Sequence, residues 1–181
     1  IPLTVQGAEG VLCDATYDKR FQAELLHLIA QKKKVRFNKN EIRFLPGKAF
    51  PAMLGDPSNP PVPQLLKAEQ SNTSVIYGNT FYLKLFRRVE GGVNPDAEMI
   101  KHLSARKFSC IPTFAGVIER IPASGKPMTL GLVQSYTPNQ GDAWHYTLDH
   151  VTRFYEKVLT QKADIERVKE SLSAEHSSPG E

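Results

Sequence analysis

Two apolar runs stand either side of a Gly78-Asn79 pair: "TSVIYG" (73–78) and "TFYLKLFRR" (80–88). Both are rich in β-branched and aromatic residues, and Gly-Asn is a tight-turn dipeptide, so the segment reads as a β-hairpin. Side chains alternate along a strand, so Phe81, Leu83 and Leu85 share one face and Tyr82, Lys84 and Phe86 share the other. A two-stranded hairpin is not stable alone in water and must find further strands or a helix to cover its apolar face. The pattern also puts a lysine mid-strand, where Val or Ile would ordinarily stand.

The next segments supply those partners. "NPDAEMIKHLSAR" (94–106) reads as a helix. Asn94 can cap it, Pro95 suits the first helical position, and Asp96 and Glu98 favour the positive end of the helix dipole. "FAGVIER" and "MTLGLVQSY" read as two more strands, with "IPASGKP" as a second hairpin loop. From Leu66 the order is strand, strand, helix, strand, strand, polar connection, helix. The expected fold class is α+β: an antiparallel sheet with one interposed helix, then a C-terminal helical segment.

Residues 1–65 differ in character. "EGVLCDATYD" looks strand-like and ends in turn chemistry. "DKRFQAELLHLIAQKKK" is an amphipathic helix with Phe21, Leu25, Leu28 and Ile29 at helical spacing. Lys32 to Lys34 suit its negative end, so "KKKVRFNK" reads as an exposed helix terminus rather than a nucleic-acid patch. "NKNEIRFLPG" alternates as a strand. Prolines 46, 51, 57, 60, 61 and 63 then argue against helix or central strand, leaving an ordered connection whose Phe50, Met53 and Leu54 adhere to a surface. After "TPNQGDAWHYT" a long helical pattern runs through Leu148, Val151, Phe154, Tyr155, Val158, Leu159 and Ile165, with Thr147 as its expected cap. The polar end "SAEHSSPGE" is expected to fray.

Composition excludes some classes. No apolar run reaches the ~20 residues that span a bilayer. A net charge of +4 permits anionic ligands without demanding nucleic acid. Cys13 and Cys110 lie far apart with no metal-ligand spacing, which points to buried free thiols and a reducing cytoplasm. The sequence starts "IPLTV" without a methionine, as an excised piece of a longer protein would.

Lys84 alone is an ordinary solvated strand residue. Its company changes the reading, because a helix packed on the sheet can aim Glu98 at it. A Lys–carboxylate pair of that kind holds an ammonium ready for phosphate oxygens. The adjacent Arg87-Arg88 pair reads as a solvated strand end, with phosphate or partner binding as its alternative.

"QSNTSVIYGNTFYLKLFRRVEGGVNPDAEMIKHL", followed by "LVQSYTPNQGDAW", resembles the bacterial maltokinases, which are kinases of the aminoglycoside phosphotransferase-like superfamily. The likeness is dense from Glu69 to Trp144 and looser before it. It implies a cap subdomain with its Pro-rich connection over 1–65, a kinase-like N-lobe over 66–141, the helical start of a C-lobe over 142–172 and a tail over 173–181. Gln70, Ser71, Asn72 and Thr73 would cover the ATP phosphates. Lys84 would contact them with Glu98 as its partner, and Gln134, Ser135 and Tyr136 would form the hinge that meets adenine. Asp142 and Trp144 belong to a signature just beyond, where Asp142 is equally a helix cap and Trp144 a core residue. His145 and His150 take surface or helix roles.

The same resemblance implies a parent enzyme that phosphorylates maltose to maltose 1-phosphate with ATP and Mg. Such enzymes are often fused to trehalose synthase, a maltose isomerase. The superfamily's His-Gly-Asp loop and Asp-Phe metal motif are not in this sequence, so the 181-residue chain is expected to be inactive by itself and to have no metal ligands. The partners would be the C-lobe of the same kinase, the nucleotide and maltose, with neither nucleic acid nor membrane. A non-catalytic module docking on a trehalose synthase domain is the alternative reading, and a small basic nucleic-acid-binding domain is a third.

Overall fold

The computed structural model describes residues 1–66 and 71–175. They fall into two compact units, residues 1–137 and residues 138–181.

The first unit opens with a small hairpin, β1 (Pro2–Val5) and β2 (Ala8–Val11). The sequence reading had one strand-like run here. Gly7, at φ +85°, makes the turn. A short 3-10 turn, Ala15–Tyr17, leads into α1 (Lys19–Ala30), capped by Asp18 through the Arg20 N–H. α1 buries Gln22, Leu25, Leu26 and Ile29 along one face.

The basic run after α1 is not a helix end. Lys34–Phe37 forms β3, paired antiparallel with β4 (Asn40–Pro46). Val35 and Phe37 alternate with Lys34 and Arg36, a strand pattern that the preceding lysines masked. β3 is an edge strand, and its charged residues blunt that edge against pairing with another chain.

The Pro-rich stretch also holds regular structure. α2 (Phe50–Leu54) is one short helix with Pro51 in its first turn, where a missing N–H costs no hydrogen bond. β5 (Pro63–Leu65) is an edge strand, the one place in a sheet that tolerates proline. Phe50 is 1% exposed and stacks on Phe81 at 4.8 Å, so this segment packs into the core.

β6 (Asn72–Tyr77) and β7 (Phe81–Phe86) form the expected hairpin, with Gly78 at φ +54° in its turn. α3 (Pro95–Ala105) follows, with Asn94 Oδ1 accepting the Ala97 N–H. β8 (Phe114–Ile121) and β9 (Met128–Ser135) complete a seven-stranded antiparallel sheet of order β3-β4-β8-β9-β7-β6-β5. The sheet runs continuously across residue 65, so strands from both sides of that position share one structure. The class is mixed α and β with an antiparallel sheet, as α+β requires.

The main core lies between α1, α2 and the sheet face carrying Val75, Tyr77, Phe81, Leu83, Ile118 and Val133. The Tyr77 hydroxyl donates to the Gln22 carbonyl at 2.7 Å, and burial pushes its pKa up. Gly116 is required where β4 and β8 meet, because a Cβ there would lie 2.9 Å from the Leu45 carbonyl oxygen.

Among its described residues the second unit holds one helix, α4 (Ala143–Glu175). Asp142, not Thr147, starts it: its Oδ1 accepts the His145 N–H at 2.8 Å and its Oδ2 meets His145 Nδ1 at 2.7 Å. Those bonds hold the Asp142 carboxyl below its ordinary pKa. Thr147 lies inside the helix and donates to the Ala143 carbonyl. His150 stacks at a tilt on Tyr146, a helix-surface role. The large apolar side chains of α4 from Trp144 to Ile165 are exposed, Trp144 at 68% among them. No helix among the described residues is long and apolar enough to cross a membrane.

Candidate functional site

β7 presents Lys84 at the centre of a polar strip. Directly opposed residues of antiparallel strands share a face, so the register puts Ser74 beside Lys84 on one side and Leu132 on the other. Tyr82 is likewise flanked by Ile76 and Gln134, and Asn72 opposes Phe86. Asn72, Ser74, Tyr82, Lys84 and Gln134 therefore lie on the sheet face turned away from the main core.

Lys84 Nζ lies 2.7 Å from Asp96 Oδ2, in the first turn of α3. Its side chain is 27% exposed and that of Asp96 51%, so the pair is reachable from solvent. The ammonium also lies 5.8 Å from the centre of the Phe86 ring. The sequence expectation named Glu98, and the carboxylate that meets Lys84 is Asp96 instead. Two residues on a helix differ by about 200° in direction, so the turn that aims Asp96 at the sheet leaves Glu98 exposed.

The expected phosphate-covering residues divide. Gln70 lies outside the described residues. Ser71 is exposed, and its Oγ accepts from Asn72 Nδ2 at 3.1 Å. Asn72 is on the Lys84 face. Thr73 is not: it opposes Leu85, is 2% exposed, and its hydroxyl accepts from Arg87 Nε at 2.8 Å. Arg87 also reaches Asp14 at 3.9 Å, so the fold absorbs the first arginine of the pair.

At the expected hinge, Gln134 shares the Lys84 face. Ser135 opposes Phe81 on the other face, and its Oγ accepts the Thr113 N–H at 2.8 Å. The N–H groups of Ser135 and Tyr136 donate to the carbonyls of Thr113 and Thr80, both at 2.9 Å. Neither N–H is left for a purine edge.

Sequence reasoning missed Ser74 and the role of Tyr82. Ser74 is 1% exposed and accepts the Tyr82 hydroxyl at 2.7 Å. Period-two alternation from Lys84 places Tyr82 on that face. Ser74 needed the β6–β7 register, which fixes it opposite Lys84.

Among the described residues, no group of three His, Cys, Asp or Glu side chains is arranged to hold a metal ion. Cys13 and Cys110 are free and both exposed, not buried as expected. No protein-family profile matches the chain.

Proposed function

We propose that this chain is the N-terminal, phosphate-gripping portion of a maltokinase-type phosphotransferase, in which Lys84 meets the phosphates of ATP. The observation that carries the reading is the Lys84–Asp96 bridge between a central strand and the helix interposed in the sheet. A basic side chain held by a neighbouring carboxylate, and part exposed, is prepositioned for phosphate oxygens. Asn72, Ser74, Tyr82 and Gln134 supply polar side chains around it.

The chemistry of the parent follows from the resemblance: the γ-phosphate passes to the anomeric hydroxyl of maltose, giving maltose 1-phosphate. That step needs a carboxylate to orient the hydroxyl and oxygen ligands for Mg. Neither the His-Gly-Asp nor the Asp-Phe motif is in the sequence, so this chain binds and positions while a C-lobe in a cytoplasmic parent supplies the rest. The chain alone is inactive.

The test is an amide NMR titration of the 181-residue chain with ATP to about 5 mM, a range suited to weak binding. Shifts centred on Lys84, Asp96, Asn72 and Gln134 are expected. Their absence, or shifts confined to other surfaces, would overturn the proposal. The exposed apolar side chains of α4 favour the second reading, a docking module for a trehalose synthase domain. On that reading ATP leaves the Lys84 face unchanged.

A further inference from the structure

α4 exposes more apolar surface than a helix ordinarily leaves in water. Trp144, Leu148, Val151, Tyr155 and Val158 are exposed along one stripe of it, and Phe154 and Leu159 widen that stripe. An apolar face of this breadth marks an interaction surface.

The charge pattern says what covers it. Trp144, Leu148, Val151, Tyr155, Val158 and Lys162 are spaced alternately by four and three, which makes a seam for one partner helix. The positions flanking the seam are His145, Thr147, Thr152, Phe154, Leu159 and Gln161, with no Lys, Arg, Asp or Glu among them. Asp149, Arg153, Glu156 and Lys157 fall on the opposite side of the helix. A partner rimmed by charge finds nothing to pair with here, so the complement is another seam of the same uncharged kind.

The seam is such a complement to itself. Laid antiparallel about a twofold axis level with Arg153, Val151 meets Tyr155 of the second copy, Leu148 meets Val158, and Trp144 meets Lys162. The one charge in the seam then lies against an aromatic ring, as a cation–π contact requires. Phe154 meets its own counterpart beside the axis. A parallel pair would instead set two Lys162 ammoniums together and align the two helix dipoles, both unfavourable. Covering the stripe removes roughly 600–800 Å² from each copy, near the ~800 Å² per partner of a specific interface.

We infer that α4 is a self-recognition element: two copies of this chain pair through it as an antiparallel two-helix coil, with Trp144 of each against Lys162 of the other. The pairing is independent of what Lys84 binds.

The experiment is sedimentation equilibrium of the full 181-residue chain from about 5 to 500 μM, a range suited to moderate affinity. A monomer–dimer equilibrium is expected. Val151→Lys puts a charge beside the axis and should weaken the dimer at least about tenfold, while Arg153→Ala on the opposite side leaves it within about twofold. Orientation is read from a spin label at Ala163→Cys, with the exposed Cys13 and Cys110 first changed to Ser. Antiparallel pairing sets the two labels about 30 Å apart along the axis, and parallel pairing under about 20 Å. A monomer throughout the range, as when a C-lobe or an isomerase domain is the true cover of the stripe, would overturn the inference. So would a dimer indifferent to Val151→Lys, or the short label separation. If Val151→Lys loses its helix, the label separation decides the question.

Discussion

Lys84 on β7 and Asp96 in the first turn of α3 are joined at 2.7 Å, which ties a central strand to the helix that follows it. Both groups keep contact with solvent, so the bridge contributes little to stability and much to the direction in which the ammonium points. Lys84→Met should therefore change the denaturation midpoint by an amount worth under about 1 kcal/mol, while abolishing any ATP-induced shift on that face. Asp96→Asn should weaken the same shifts about three- to tenfold by loosening the lysine. Glu98→Gln should leave them within about twofold, since it changes an exposed charge outside the bridge. Equal effects of the two substitutions would remove Asp96 from its place.

Phe50 tests whether the Pro-rich stretch belongs to the core. Its ring is 1% exposed and stacked on Phe81, so Phe50→Ala should cost about 3–5 kcal/mol in urea unfolding. A loss under about 1 kcal/mol would mean that the segment is a surface strap.

Tyr77→Phe isolates one buried bond. The substitution keeps the ring and removes one of the donors to the Gln22 carbonyl, which lies within α1, an expected loss of about 0.5–1.5 kcal/mol by chemical denaturation.

Acid should loosen the β3–β4 hairpin. Arg43, at 2.5 Å, and Arg36, at 3.0 Å, both hold the Glu41 carboxylate, and these bonds depress its pKa. A carboxyl depressed in the folded state adds stability that is present above its unfolded pKa and is lost as pH falls through the folded value. Glu41→Gln should thus be less stable than the parent at neutral pH, with the gap closing below about pH 4. Unfolding curves from neutral to acid pH measure this, and a gap that persists at low pH would assign the effect to packing.

Trp144 is the sole tryptophan and 68% exposed. In dilute solution its emission should be solvent-like and readily quenched by acrylamide. Trp144, Leu148, Val151, Tyr155 and Val158 recur at alternating spacings of four and three, a stripe suited to packing on another helix. Concentrating the chain should shift the emission to shorter wavelength as the stripe self-associates. An unchanged spectrum together with a monomeric sedimentation coefficient would argue that the stripe drives no self-association.

The amino-acid sequence by itself set the elements whose causes are local. Alternation and a Gly-Asn turn wrote the β6–β7 hairpin, and Asn94 with Pro95 wrote the start of α3. Helical spacing wrote α1 and α4. It misjudged β3, where clustered lysines outweighed a two-residue period, and α2 and β5, where prolines counted as prohibitions although first turns and sheet edges admit them. Only the tertiary structure decided which carboxylate meets Lys84. The pitch of α3 and its docking angle on the sheet turn Asp96 inward and Glu98 outward, and helix spacing alone left both available. It alone joined residues on both sides of position 65 in one sheet, because pairing between distant strands is fixed by the shared core they bury.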